Sequence, residues 1–179
     1  GRPGRVHVGD ALGRVPSRGQ RRREHGRNAC RLGLGLREMV RVGAPGAKYL
    51  ISVPDAGAER FQQPFAHSSY FEAPNHVRII EPRELEALAA SCGLEVEGRG
   101  QWGFYWFLWM SFFWVSQQES GDDATAMDRI RPPYHPLLQS WTETWTRLLE
   151  LPETDGLRRA LNELMPKSRV IVARRRQER

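Results

Sequence analysis

The residues best suited to chemistry lie in a polar segment in the first half of the chain. Asp55 offers a carboxylate, and His67 and His76 offer bases whose ordinary pKa, about 6.5, lies near neutrality. Tyr70 and Phe71 stand between the two histidines and offer flat apolar surfaces. Side chains of these types can take a proton from a bound ligand and hold its apolar part, so the segment is a candidate ligand-binding or catalytic site.

Each of these candidates also has a purely structural interpretation. Asp55 follows a predicted strand and is typical of a carboxylate that caps a loop. His67 lies among polar residues, as a solvated side chain does, and Arg78 either orients an anionic ligand or faces water. The two cysteines, Cys30 and Cys92, are too few and too far apart for a zinc site or a disulfide framework, and no Ser/His/Asp or Cys/His pattern stands out.

Strand and helix patterns alternate around the candidate site. Continuous or alternating apolar residues predict strands over 48–54, 94–99 and 168–174. A helix is predicted to begin at Pro82, after the weak N-cap Glu81, and Gly93 supplies a left-handed exit. Its apolar face repeats at helical spacing, at Leu85, Leu88, Ala89 and Cys92.

Two further segments frame these elements. A short amphipathic helix that ends at Gly43 is predicted from one apolar face, formed by Leu32, Leu36, Met39 and Val40. Residues 54–80 have no sustained period and contain several prolines, which predicts a long loop, and loops of this length are usually functional or disordered.

The segment 102–115 contains nine of the seventeen aromatic residues of the chain. Its length is below the roughly 20 helical residues that cross a bilayer. Since it is apolar all round, a helix here must be buried by its own domain, by a partner or at a lipid interface. A polar linker over 117–134 follows, then one helix after Pro136 and another after a Thr154 cap.

The charge of the chain is concentrated at its beginning. Of 179 residues, 40% are hydrophobic and 27% charged, as in a soluble domain with one core. Residues 1–31 contain nine arginines and two acidic residues, and are predicted to be either a disordered basic arm or a GC-rich gene segment translated out of frame. Nucleic acid is the least favoured partner, because no aromatic residue precedes Tyr49.

Several motifs together point to one known family. They are the turn Gly43-Ala44-Pro45-Gly46, the strand Tyr49-Leu50-Ile51-Ser52-Val53-Pro54, the run His76-Val77-Arg78-Ile79-Ile80-Glu81-Pro82-Arg83-Glu84-Leu85, and the strand Gly93-Leu94-Glu95-Val96. In this order they resemble the carboxyl-terminal half of the class I S-adenosylmethionine-dependent methyltransferases. The resemblance extends from Leu36 to about Gly98, and more weakly to Arg175.

The resemblance implies an α/β fold with the later strands of a Rossmann-like methyltransferase sheet. The domain would span 32–175, with the last strand antiparallel between two parallel neighbours, a helical aromatic-rich insertion over about 101–165 and a basic tail over 176–179. S-adenosylmethionine is the expected cofactor of the complete enzyme. Its glycine-rich cradle lies upstream in the family, and the nearest glycine pair here, Gly33 and Gly35, follows no strand, so no cofactor-binding residue is identified.

The resemblance therefore gives the first functional hypothesis, an enzyme that transfers a methyl group to a small-molecule, glycan or lipid-like acceptor. The part of the family's domain that this chain contains would be inactive alone. Acceptor-side candidates are Asp55, His67 and His76 for catalysis, and Tyr70, Phe71, Arg78 and Trp106 for binding. For His76 a structural hydrogen bond is an equally good explanation. The alternative is a non-enzymatic membrane-surface or protein-binding module that uses residues 102–115. The two cysteines and the lack of a signal-like apolar run predict a cytoplasmic protein, with peripheral membrane contact in the second case.

Overall fold

The computed structural model describes residues 32–72, 75–76, 78–120 and 125–176, without the side chains of 119 and 120. The predicted basic arm over 1–31 and most of the basic tail lie outside these residues.

The described chain contains three strands, seven α-helices and one 3-10 turn. The strands are β1 (Lys48–Pro54), β2 (Leu94–Trp102) and β3 (Ser168–Arg175). The helices are α1 (32–42), α2 (Ala56–Gln62), α3 (Pro82–Ser91), α4 (Phe104–Ser120), α5 (Ala126–Arg129), α6 (Pro136–Leu149) and α7 (Thr154–Leu164), and the 3-10 turn is Ser68–Phe71.

The three strands form an open α/β sheet in the order β1-β3-β2. Both outer strands pair antiparallel with β3, so β1 and β2 run parallel to each other on either side of it. The predicted position of the last strand, reversed and central, is confirmed. A β-bulge between Val96 and Gly98 shifts the β2 register by one residue, and β2 extends beyond the predicted end to Trp102.

A first hydrophobic core covers one face of this sheet. Helices α1 and α3 pack there on alternate residues of the central strand, Ile171 and Ala173. Helix α3 begins as predicted: Pro82 is in the first turn and Glu81 makes no capping bond with its side chain. Its exit is also as predicted, since Gly93 has a φ of 79°, which side chains with a Cβ rarely adopt.

A second core is formed by the aromatic stretch itself. The predicted helix over 102–115 is α4, although Trp102 belongs to β2. Buried rings of α4 pack against α6, where Trp141 Nε1 donates to the Tyr105 carbonyl oxygen at 3.1 Å. The buried members of this core, called the aromatic cluster below, are Trp109, Phe113, Trp114 and Leu138. Most of the stretch is thus buried by its own chain.

The predicted loop over 54–80 was partly wrong, because it contains helix α2 and the 3-10 turn. Asp55 caps α2 through its side chain, which accepts from the Ala58 backbone nitrogen. The buried face of α2 carries Glu59 and Gln62 together with two alanines. Since the buried face is polar or small, a hydrophobic period could not reveal this helix.

Three predictions after the aromatic stretch also need correction. Helix α4 continues to Ser120 and α5 forms within the predicted linker. Thr154 is the first residue of α7 and not its N-cap, because its hydroxyl donates to the Leu148 and Leu151 carbonyls and Glu153 takes the cap position with a φ of 63°. The apolar side of α7 is partly open to solvent, since Leu164 is 74% exposed. A polar contact, from the Phe104 backbone nitrogen to Asn162 Oδ1 at 2.9 Å, joins α7 to α4 instead.

Candidate functional site

Asp55 is a structural carboxylate at the carboxyl end of β1. It is 5% exposed, accepts from the Ala58 backbone nitrogen at 3.0 Å and pairs with Arg169 at the start of β3. Both of these partners are hydrogen-bond donors. The capping interpretation of this residue is therefore the one that the structure supports, and Asp55 fixes where α2 begins.

The centre of the site is Glu59, one turn further along α2. Its side chain is almost fully buried and has two partners, His76 through Nδ1 at 2.7 Å and the cation Lys167 through Nζ at 2.8 Å. Lys167 Nζ also donates to the Tyr70 hydroxyl at 3.1 Å and to Gln62 Oε1 at 3.3 Å. We call these five side chains the Glu59 network.

The backbone of Lys167 explains why this distant residue reaches Glu59. Its nitrogen donates to the Trp102 carbonyl oxygen and its carbonyl oxygen accepts from the Asp55 nitrogen, both at 2.9 Å. Lys167 is thus held between the carboxyl ends of β1 and β2. Gly103 permits this approach, because a Cβ there would lie 3.1 Å from the Lys167 Cβ and the glycine has a φ of 92°.

The network shifts the pKa values of its two acidic groups, Glu59 and Tyr70, in opposite directions. Burial by itself raises the pKa of Glu59, but the hydrogen bond with His76 and the charge of Lys167 outweigh it, so the pKa lies below its usual value. Burial and then the negative charge of Glu59 raise the pKa of Tyr70 well above its usual value. Glu59 is therefore ionised and Tyr70 is a neutral phenol near pH 7.

The two candidate histidines differ in the nitrogen that can accept a proton. In His76, Nδ1 faces a carboxylate that can only accept, so this nitrogen carries the hydrogen and Nε2 keeps its lone pair in the neutral ring. In His67, Nδ1 accepts from the Ser69 backbone nitrogen at 3.3 Å, so the hydrogen of its neutral ring is on Nε2. Only His76 is arranged as a base with an oriented second nitrogen.

A cavity of about 590 Å³ lies beside the network. We call it the acceptor cavity, since its volume is in the range of small-molecule sites, about 300–1,000 Å³. Tyr70 belongs to both, because its ring lines the cavity while its hydroxyl binds Lys167. The other lining residues are His67, Ser69, Asn75, Met110, Phe113, Trp114, Gln117, Thr125, Ala126 and Met127.

Trp114 belongs to the apolar wall of this cavity and has a buried indole N–H. It is 5% exposed, and its Nε1 is buried without a hydrogen-bond partner among the described residues. Leaving such a donor unpaired costs about 1–3 kcal/mol.

The remaining predicted site residues are in three different places. Phe71 packs edge-on against Tyr70, with ring centroids 5.0 Å apart, behind the cavity. Arg78 pairs with Glu84 and is largely buried, so it neither faces water nor reaches the cavity. Trp106 lines a separate cavity, described below. Among the predicted site residues, His67 and Tyr70 line the cavity, and His76 packs against Tyr70.

Glu59, Gln62, Lys167 and Trp114 were missed as site residues. A signal for the first two existed, since Asp55, Glu59 and Gln62 recur at helical spacing and follow a strand end, as expected for a capped helix with a polar buried face. No local signal marks Lys167, which is 108 positions from Glu59.

No known family model, curated protein or solved structure matches this chain significantly. Within the residues that the structure describes, no three histidine, cysteine, aspartate or glutamate side chains come together as a metal site. In the same part of the chain, no helix combines the length and apolarity needed to cross a bilayer.

Proposed function

We propose that this chain forms the acceptor side of a methyltransferase domain, which transfers a methyl group from S-adenosylmethionine to a small-molecule, glycan or lipid-like acceptor. The observation that carries the proposal is the sheet order: β3 runs antiparallel between β1 and β2, which are parallel. This is the arrangement that the resemblance implies for the last three strands of the family.

The location of the acceptor cavity supports the same proposal. In open α/β sheets, ligands bind beyond the carboxyl ends of the strands. The Glu59 network lies at the carboxyl ends of β1 and β2, and the cavity adjoins it through Tyr70. The walls are mostly apolar, with Met110, Phe113 and Trp114 from α4, so they favour an acceptor with an apolar part.

The proposed chemistry assigns a separate role to each part of the network. Nε2 of His76 takes the proton that the acceptor loses, and Glu59 orients the ring and stabilises its charged form. Lys167 keeps Glu59 ionised and holds the Tyr70 hydroxyl, so that the Tyr70 ring stays packed against His76, with ring centroids 4.2 Å apart. The apolar part of the wall, from α4, holds the apolar part of the acceptor.

The described residues do not fit the cofactor. β1 runs through Pro54 into the cap of α2, and β2 runs through Gly103 into α4, so neither strand is followed by a glycine-rich turn. The proposal therefore assigns the cofactor to residues outside the described part. β1 is at the edge of the described sheet, so its outer backbone edge can pair with a further strand.

The burial of α4 favours this proposal over a membrane or protein-binding module. Trp106 and Val115 are exposed on α4, but the rings of the aromatic cluster face inward onto α6. The stretch thus covers the acceptor cavity with one side, and the large apolar side chains of α4 that are exposed are Trp106 and Val115.

Replacing His76 with glutamine tests the proposed base. In a chain that transfers methyl groups, we expect kcat to fall about a hundredfold, because general base catalysis contributes at least this much. The assay follows the transfer of a radiolabelled methyl group. It uses a variant of the chain in which the residues upstream of Leu36 are those encoded in another reading frame of the same gene.

The comparison variant is His67→Gln, which changes a residue of the cavity wall whose neutral ring is not arranged as a base. We expect it to change the KM for the acceptor and leave kcat within about threefold of wild type. Equal effects of both substitutions on kcat would contradict the assignment of His76.

A further inference from the structure

A second cavity of about 400 Å³ lies between α4, α6 and the segment that joins α5 to α6. It shares no lining residue with the acceptor cavity. Four aromatic rings line it: Tyr105, Trp106, Trp109 and Tyr134. We call it the ring cavity; its other lining residues are Arg129, Ile130, Leu138, Gln139, Thr142 and Glu143.

The rings of α4 stand at steep angles to one another. Tyr105 and Trp106 are inclined by 77° with centroids 4.9 Å apart, and Trp106 and Trp109 are inclined by 66° with centroids 5.7 Å apart. Such rings form adjoining walls and not a parallel stack. Trp106 and Tyr134 are each more than two-fifths exposed, so the cavity is accessible from solvent.

The ring angles are fixed by contacts with α6. The Tyr105 hydroxyl is 2.8 Å from Thr142 Oγ1, and its ring is parallel to that of Trp141 within 14°. Trp109 packs in the aromatic cluster against Leu138. Two of the walls are thus in place before a ligand binds, which lowers the entropic cost of binding.

The cavity also has a carboxylate on its α6 side. Glu143 lines the cavity from α6, together with Gln139 and Thr142. Its Oε1 accepts from Gln139 Nε2 at 2.8 Å, which holds the carboxylate in position. Arg129 comes from α5, on another part of the wall.

We propose that the ring cavity binds a quaternary ammonium group, such as that of phosphocholine. The faces of aromatic rings attract cations, and methylated ammonium groups are recognised by several rings at once. Glu143 adds a carboxylate to the α6 wall. The volume is within the range of small-ligand sites.

Calorimetric titration of the full 179-residue chain tests this proposal with a matched pair of ligands. Phosphocholine is compared with dimethylbutyl phosphate, in which a carbon replaces the charged nitrogen at nearly the same size. We expect phosphocholine to bind at least about tenfold tighter, since only the cation gains from the rings and Glu143. Equal binding of the two ligands, or binding of neither, would overturn the proposal.

Three substitutions assign the binding to the cavity. Trp106→Leu removes an exposed ring, and Glu143→Gln removes the charge but keeps the hydrogen bond with Gln139; each should weaken phosphocholine binding about fivefold. Glu150→Gln, an exposed carboxylate at the end of the same helix, should leave it unchanged. If Glu143→Gln and Glu150→Gln bind phosphocholine alike, the proposed role of the carboxylate is wrong.

Vesicles of phosphatidylcholine distinguish the source of the group. Vesicle binding that free phosphocholine displaces would identify a lipid headgroup, and phosphocholine binding without vesicle binding would identify a soluble compound. Vesicle binding that persists in Trp106→Leu and resists phosphocholine would contradict recognition by the ring cavity.

Discussion

Replacing Glu59 with alanine is expected to lower the free energy of unfolding by about 3–5 kcal/mol. The substitution removes the only carboxylate in the Glu59 network and leaves Lys167 Nζ, itself mostly buried, without its ionic partner. It also removes the partner of His76 Nδ1. Denaturation with urea, followed by tryptophan fluorescence, measures the change. The control is Glu163→Ala, an exposed helical glutamate, which should change stability by no more than about 0.5 kcal/mol.

Replacing Glu59 with glutamine should make stability depend less on pH. The pKa of Glu59 in the folded chain lies below its ordinary value of 4.5. Its contribution is therefore present above about pH 4.5 and is lost as the pH falls toward the folded-state pKa. The stability difference between wild type and Glu59→Gln should shrink over that interval. A difference that stays constant from pH 7 to the acid range would show that the charge of Glu59 is not what stabilises the network.

Replacing Phe113 with alanine is the second substitution with a large expected effect, about 3–5 kcal/mol. Phe113 is fully buried, its ring is parallel to that of Trp109 at 5.8 Å, and it meets Trp114 edge-on at 4.6 Å. The cavity left by alanine would be lined by rings that cannot close it. The same denaturation experiment measures the loss.

Val115→Ala is the matched control on the same helix, because Val115 is about half exposed. We expect a change of no more than about 0.5 kcal/mol. If the two variants lose equal stability, α4 is not held by the aromatic cluster, and the membrane or partner-binding hypothesis for residues 102–115 becomes the better one.

The parts of the fold that could be predicted are those whose apolar pattern has a clear period. β1, β2, β3 and α3 have such patterns, and Pro82 and Gly93 mark the ends of α3 with residues whose backbone preferences are strong. The apolar pattern did not predict helix α2, because the buried face of this helix carries polar or small residues. The exposed face of α7 shows the converse, since an amphipathic pattern predicts a helix but not what covers its apolar side.

The candidate site was predictable on its loop side only. His67, Tyr70 and His76 follow β1 in sequence, and a strand end fixes where such residues can lie. Lys167 and Trp114 reach the site through the pairing of β3 and the packing of α4, which depend on the whole fold. Trp106 was predicted to bind the acceptor but faces the other cavity, because neighbouring residues of a helix point in different directions.

The most direct test of the methyltransferase proposal is a calorimetric titration with S-adenosylmethionine. Two chains are compared: the 179-residue chain, and one whose residues upstream of Leu36 are those encoded in another reading frame of the same gene. We predict no measurable binding to the first, because its described strands lead into no glycine-rich turn, and binding to the second. Tight binding to the 179-residue chain would contradict the assignment of the cofactor to residues outside the described part, and the absence of binding to both chains would contradict the proposed function.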